Sequence, residues 1–422
     1  MSRLTAVVLL TLAVLLHPLH ALAAGLPAAA KPEDVGLSSA RLALVERTLR
    51  TEVETGRIPG AVVLVARKGR VAYLTSVGLR DPNSKAPMTP DAIFGLASMT
   101  KPMASVAAMM LYEEGRLLLN DPVSKYLPAI GKMQVGVERT DATGKVTVHL
   151  VPVEREMTIQ DLLRHTSGLT YGGRGTTAVH KLYPDTPAVR SAGPDEFIAL
   201  IAKAPLRFQP GTKWEYSHAT DVLGRVVEVV SGTTLGAFLQ ERVWTPLKMT
   251  DTAFWVPAAK QARLARPFDK DPATGKAPDM RDFTTPPRFE CGGGCAVGTA
   301  ADYARFAQML LNGGSLDGVR ILGRKTVEYM TSDHLGPNVT RGSDYSPGDG
   351  YGFGLGFAVR TASGLSNTTG STGDFYWSGA YGTSFWVDPK EQLVVVTMMV
   401  NPSPTRGHYR LLMRSLVLQA LE

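Results

Sequence analysis

The chain has 422 residues, 44% hydrophobic and 20% charged, with a formal net charge of +7 and two cysteines. That is globular composition, long enough for a sizeable core and two domains. The basic residues are scattered, with no basic stripe interleaved with aromatics, which argues against nucleic-acid binding.

At the N-terminus, Arg3 precedes an apolar run from Ala6 to Leu16, and Ala21-Leu22-Ala23 matches a small-x-small cleavage site. Residues 1–23 therefore read as a secretory signal peptide, and the mature protein is expected to be exported, periplasmic or secreted. No cysteine lies near that site, so no lipid anchor is indicated there. No later stretch approaches about 18 consecutive apolar residues, so no membrane span is expected.

An amphipathic helix is predicted over 38–50. Two β-rich runs follow, 61–66 and 71–77, split by Arg67-Lys68-Gly69-Arg70 in the manner of a hairpin. Next comes Phe94-Gly-Leu-Ala-Ser-Met-Thr-Lys-Pro-Met103, leading into a helix that runs to Glu114, with Gly115 placed to end it. Pro102 lacks an N–H, which is harmless only in a first turn, so the helix starts close to Ser98. Further helices are predicted at 158–164, 194–202, 221–231, 235–243 and 300–312. Long loops at 132–156 and 257–290 are candidates for lids or substrate walls. Strands return at 351–359, 381–387 and 393–400, and a helix over 406–421 closes the chain. Strand-rich ends flanking a helical middle predict an α+β fold. Residues 24–97 and 296–422 supply an antiparallel sheet covered by the terminal helices, and 98–295 form an inserted, mainly helical domain. The cleft between them is the expected ligand site.

Ser98-Met-Thr-Lys101 carries the chemistry. Residues three apart share a helix face, so the Lys101 amine can lie beside the Ser98 hydroxyl. A base that takes its proton makes serine a nucleophile, and the N–H of a residue in a first helical turn is available to an oxyanion. Tyr216, in Trp214-Glu-Tyr-Ser-His218, is a candidate proton shuttle, and His218, two residues on, is expected to face the cleft. Trp377-Ser378-Gly379-Ala380 opens a strand, where the Ala380 N–H can serve as second oxyanion donor and Gly379 permits close approach. No Gly-x-Ser-x-Gly elbow is present, and His165 in a tight turn reads as structural. Cys291 and Cys295, separated by three glycines, can form a small disulfide in an exported protein. They lack the further ligands a zinc site needs, and no histidine pair has metal spacing, so no metal or cofactor is expected.

Taken in order, Ser98-x-x-Lys101, Tyr216-Ser217-His218 and Trp377-Ser378-Gly379 resemble the serine β-lactamase and penicillin-binding-protein superfamily, in its class C-like branch and closest to the family VIII bacterial carboxylesterases. Leu119-Asn-Asp-Pro-Val-Ser-Lys-Tyr-Leu-Pro128, Leu162-Leu-Arg-His-Thr-Ser-Gly-Leu169 and Tyr351-Gly-Phe-Gly-Leu-Gly-Phe357 look like landmarks of the same family, and the resemblance covers roughly residues 35 to 420. It implies that Ser98 is acylated, that Lys101 and Tyr216 handle protons, and that the N–H groups of Ser98 and Ala380 hold the oxyanion. His218, Trp377, Ser378 and Gly379 would contact substrate. Two departures stand out: His218 replaces the Asn of Tyr-x-Asn, and Trp377-Ser378-Gly379 replaces Lys-Thr-Gly. Trp377 carries no charge for a substrate carboxylate, so the expected substrate is a small, uncharged ester. β-Lactamase, D-amino-acid peptidase, acyltransferase and a catalytically silent binding protein are the alternatives.

Overall fold

The computed structural model describes residues 25–342 and 344–422, so the signal-peptide expectation lies outside the described residues. An eight-stranded antiparallel sheet joins the two ends of the chain. Its strand order is Tyr351–Phe353, Ala358–Arg360, Phe375–Ser378, Ser384–Asp388, Leu393–Met399, Gly60–Arg67, Arg70–Asp81 and Ala86–Pro87. The join is the pairing of Gly60–Arg67 with Leu393–Met399, in register from Ala61 opposite Met399 to Arg67 opposite Leu393.

Gly60–Arg67 is buried along its whole length, so it shows no polar alternation; the alternation is between two cores. Ala61, Val63 and Val65 meet Leu42, Val45 and Leu49 of the helix Ser39–Glu54, with Tyr409, Met413 and Val417 of the helix Arg406–Leu418. Val62, Leu64 and Ala66 face the larger core, which includes the helix Ala300–Leu311 and the inserted helices. Each such Val or Leu contributes roughly 1.5–3 kcal/mol by burial. The terminal helices are tied together by the Tyr409 hydroxyl, which donates to Glu52 at 2.7 Å.

Three expectations are corrected. Residues 132–156 are no simple loop: Val135–Thr140 pairs with Val146–Val151. This hairpin is largely exposed, which removes the period-two signal, and its turn is organised by Asp141 Oδ1 accepting from the N–H groups of Thr143 and Lys145. Residues 351–359 are two strands, because the chain reverses at Gly354-Leu-Gly356. Gly356 has φ 104° and a Cβ there would collide with Ser105. Trp377-Ser378 closes a strand instead of opening one; Gly379 and Ala380 lie in the following turn, and the next strand begins only at Ser384.

Candidate active site

The helix that carries Ser98 is pinned before it begins. Phe94–Gly95 pairs with Val297–Gly298, and the Leu96 N–H donates to the Ala296 carbonyl at 2.9 Å. Ala97 then turns with φ 46°, a left-handed conformation that costs a non-glycine residue about 1 kcal/mol or more and persists only where its surroundings enforce it. Here the Thr100 hydroxyl donates to the Ala97 carbonyl at 2.7 Å and accepts from the Ala296 N–H at 3.0 Å. Ser98 falls in the 3₁₀ turn Ala97–Met99, and the α-helix proper is Thr100–Glu113. Its first turn therefore contains Lys101 and Pro102, and Gly115 follows its end with φ 68°.

Lys101 is fully buried. Its Nζ lies 3.5 Å from Ser98 Oγ, donates to the Gly293 carbonyl at 2.6 Å and stands 3.2 Å from the Tyr171 hydroxyl. The same ammonium sits 4.7 Å from the Tyr216 ring centroid, and the Arg174 guanidinium sits 4.6 Å from it. Tyr216 is thus flanked by two cations and held by His165, Tyr171 and Trp377, with ring centroids 4.8, 5.6 and 5.4 Å away. His165 is buried, and burial, followed by the charges of Lys101 and Arg174, holds its imidazole well below its usual pKa. It is a neutral packing group, with Nδ1 3.4 Å from the Ser217 hydroxyl.

Tyr171, Asp221 and the Gly293 carbonyl were not singled out from sequence. Tyr171 follows the Leu162–Leu169 landmark, but a lone loop tyrosine has no spacing that marks it. Burial, then the nearby Asp221 and Tyr216, push its hydroxyl well above the usual phenol range, so it stays protonated. Asp221 follows His218 by three, a helical spacing that could have flagged it. His218 Nδ1 faces Asp221 Oδ2 at 2.9 Å, and Asp221 Oδ1 accepts from the Gly293 N–H at 2.7 Å. Burial alone would raise the Asp221 carboxyl; the His218 hydrogen bond, the Lys101 charge and the Gly293 N–H outweigh it and hold it below its usual range. Gly293 sits between Cys291 and Cys295, which are disulfide-bonded.

Two cavities of about 390 and 400 Å³ meet at Ser98, Arg174 and Ala380. The first is lined by Tyr171, His218, Asp221, Arg281 and Phe289 among others. Arg281 and Phe289 come from the 257–290 segment, which forms a wall of this cavity. Tyr216, Trp377 and Ser378 line the second. His218 and Trp377, both expected to contact substrate, line different cavities on either side of Ser98. Gly379 has a packing part: a Cβ there would collide with the Leu96 carbonyl and the Thr383 hydroxyl, the latter donating to Leu96 at 3.1 Å. Among the described residues no group of three or more His, Cys, Asp or Glu side chains is arranged to hold a metal ion.

A buried lysine beside a serine hydroxyl at the junction of two cavities suits nucleophilic attack on an acyl group. The family model for beta-lactamase matches residues 45–417. The chain is 37% identical to Protein Rv1367c of Mycobacterium tuberculosis over 361 residues, covering 84% of this chain and 88% of that protein. It is 33% identical over 387 residues to Esterase EstB of Burkholderia gladioli, covering 87% of this chain and 91% of that protein. The solved structure of EstCE1, a hydrolase with promiscuous acyltransferase activity, is similar at 30% identity with a TM-score of 0.74, covering 90% of this chain and 98% of that one. The chain belongs to the beta-lactamase family, within the serine β-lactamase and penicillin-binding-protein superfamily, and shares its fold with esterase and acyltransferase relatives.

Proposed function

We propose that this protein is an exported serine carboxylesterase that cleaves small esters through an acyl-enzyme on Ser98. The observation that carries the reading is the buried Lys101 Nζ, 3.5 Å from Ser98 Oγ where two cavities meet. Ser98 Oγ forms a bond to the ester carbonyl carbon as its proton passes to the Lys101–Tyr216 pair. The carbonyl oxygen becomes an oxyanion facing the Ser98 and Ala380 N–H groups. Collapse breaks the bond to the alcohol, which leaves with the proton; water then repeats the sequence and frees the acid. Tyr216 is the acid/base partner, since Tyr171 is held protonated. The disulfide supports an oxidising compartment and so agrees with export.

Acyl transfer is a second reading of the same site. Two cavities leave room for an acceptor alcohol in place of water, and EstCE1 is described with both activities. The test is purified protein on short aryl esters, with and without an added alcohol, beside a cephalosporin. Ester turnover that vanishes in Ser98→Ala is expected. A Ser98→Ala protein retaining a tenth of wild-type turnover contradicts the proposal, and cephalosporin turnover equal to that of the ester moves it to β-lactamase.

A further inference from the structure

The acid that protonates the leaving alcohol fixes where that alcohol lies. Tyr216 lines the second cavity and not the first, while Ser98 and Ala380 line both. Proton transfer needs hydrogen-bond reach, so the alcohol half of the ester occupies the second cavity as it departs. The acyl half then takes the first, whose wall includes Pro184, Val189 and Phe289.

The floor of the second cavity is a block of four side chains on two neighbouring strands. Tyr376 stands opposite Trp386, and Ser378 opposite Ser384. Alternation puts all four on one sheet face, and all four line the cavity. Directly opposite residues hold their Cβ atoms about 5 Å apart, so an aromatic pair and a hydroxyl pair lie side by side. The Tyr376 ring is fixed by its hydroxyl, which donates to the Pro347 carbonyl at 3.0 Å. Ser384 is buried, yet among the described residues neither its hydroxyl nor that of Ser378 has a hydrogen-bond partner. The Nε1 of Trp386 and the Nε of Arg410, both from residues of the cavity wall, are also buried without a partner. Leaving such groups unpaired is unfavourable, and a ligand that both donates and accepts removes that cost. Ser346 and Asn367 add a hydroxyl and an amide at the exposed rim, and no aspartate or glutamate lines the cavity.

Neutral groups that donate and accept, set beside aromatic faces, suit a ring that carries several hydroxyls. Its O–H groups pair with Ser378, Ser384 and Asn367, and its C–H face covers the Tyr376 ring. A simple aliphatic alcohol would leave the same groups unpaired. We propose that the leaving alcohol is a polyhydroxylated ring of the sugar type, so that the enzyme removes short acyl groups from sugar hydroxyls. The inference rests on the esterase reading and narrows its substrate class, and it keeps the substrate uncharged, as Trp377 implies. Ser98 Oγ bonds to the acyl carbon, the bond from that carbon to the sugar oxygen breaks, and that oxygen takes its proton from Tyr216. Water then supplies the hydroxyl that frees the acid.

A matched pair tests it: methyl 6-O-butyryl-α-D-glucopyranoside against cyclohexylmethyl butyrate. Both release butyrate from a primary alcohol on a six-membered ring, and only the first carries ring hydroxyls. Acid release should give kcat/KM for the sugar ester at least about tenfold above that for its partner, because a site built to bond hydroxyls rejects the analogue that lacks them. Ser384→Ala should lower that ratio about fivefold, the scale of one neutral hydrogen bond. Asn367→Ala, in an exposed loop where folding is not at stake, should lower it about threefold. A wild-type ratio near or below one, or a ratio that both substitutions leave unchanged, overturns the subsite while ester hydrolysis stands. Saturation-transfer NMR of methyl α-D-glucopyranoside with Ser98→Ala protein gives a readout without turnover. The ring protons should receive saturation, and less of it when Ser384→Ala is added. If the wild type cleaves neither ester while the glucoside is still bound, the esterase reading alone falls; with no saturation either, the sugar site falls with it.

Discussion

Replacing Cys291 and Cys295 with serine tests how a short covalent loop sets the position of a catalytic lysine. Three glycines separate the pair, so the bridge closes a loop of five residues, both cysteines included. Loop-closure entropy for that length contributes about 2 kcal/mol of stability. The kinetic consequence runs through Gly293. Its carbonyl takes the Lys101 ammonium at 2.6 Å, and its N–H gives to Asp221 at 2.7 Å, so the bracketed glycines join the nucleophile helix to the helix Ala219–Ser231. Gly292 has no room to spare, since a Cβ there would collide with the Thr220 carbonyl. Loosening the loop weakens one charge-assisted hydrogen bond, an interaction of about 1.5–3 kcal/mol. Losing roughly half of it lowers kcat about tenfold. KM should change little, because Lys101 acts on the proton of Ser98. The assay is urea unfolding together with kcat on a short aryl ester, for wild type, wild type with dithiothreitol and the double serine variant. Reductant should bring the wild type to the variant's values and leave the variant unchanged. A drop in the urea midpoint with kcat unaltered would refute the link between the bridge and Lys101.

Other outcomes follow from the same geometry. Lys101→Ala and Tyr216→Phe should each lower kcat by about 10²-fold or more, and the double variant should lose far less than the product, because both act on one proton path; stopped-flow ester hydrolysis showing additive losses would separate their roles. Tyr171→Phe, which removes the hydroxyl 3.2 Å from Lys101 Nζ, should lower kcat about tenfold without abolishing it. His165 is neutral in the folded protein and titrates well below 6.5, whereas the unfolded chain takes up a proton there near 6.5. Its contribution to stability is complete above that pH and is lost as pH falls toward the folded value. Urea midpoints of wild type should therefore decline below about pH 6.5 more steeply than those of His165→Gln; parallel curves would show that His165 charges freely.

The sheet was legible because its strands keep long β-branched runs: Val62–Val65 and Val394–Val396 are unbroken apolar segments from opposite ends of the chain. What failed was local. The Val135–Val151 hairpin packs little of either face, so its residues follow no period, and Gly354 and Gly356 reverse a run that otherwise reads as one strand. At the site, the reach of Lys101 to Ser98 followed from three-residue spacing. The reach of Lys101 to Tyr171 and Gly293 did not, because those contacts span 70 and 192 residues and depend on tertiary packing.

The central claim, a covalent acyl-enzyme on Ser98, is tested most directly by intact mass spectrometry after rapid quench of Tyr216→Phe protein with 4-nitrophenyl butyrate. Deacylation should be slowed in that variant, so a single butyryl adduct is expected, and proteolysis should assign it to the peptide that contains Ser98. An adduct on another residue, or hydrolysis that proceeds with no adduct at any quench time, would contradict the account.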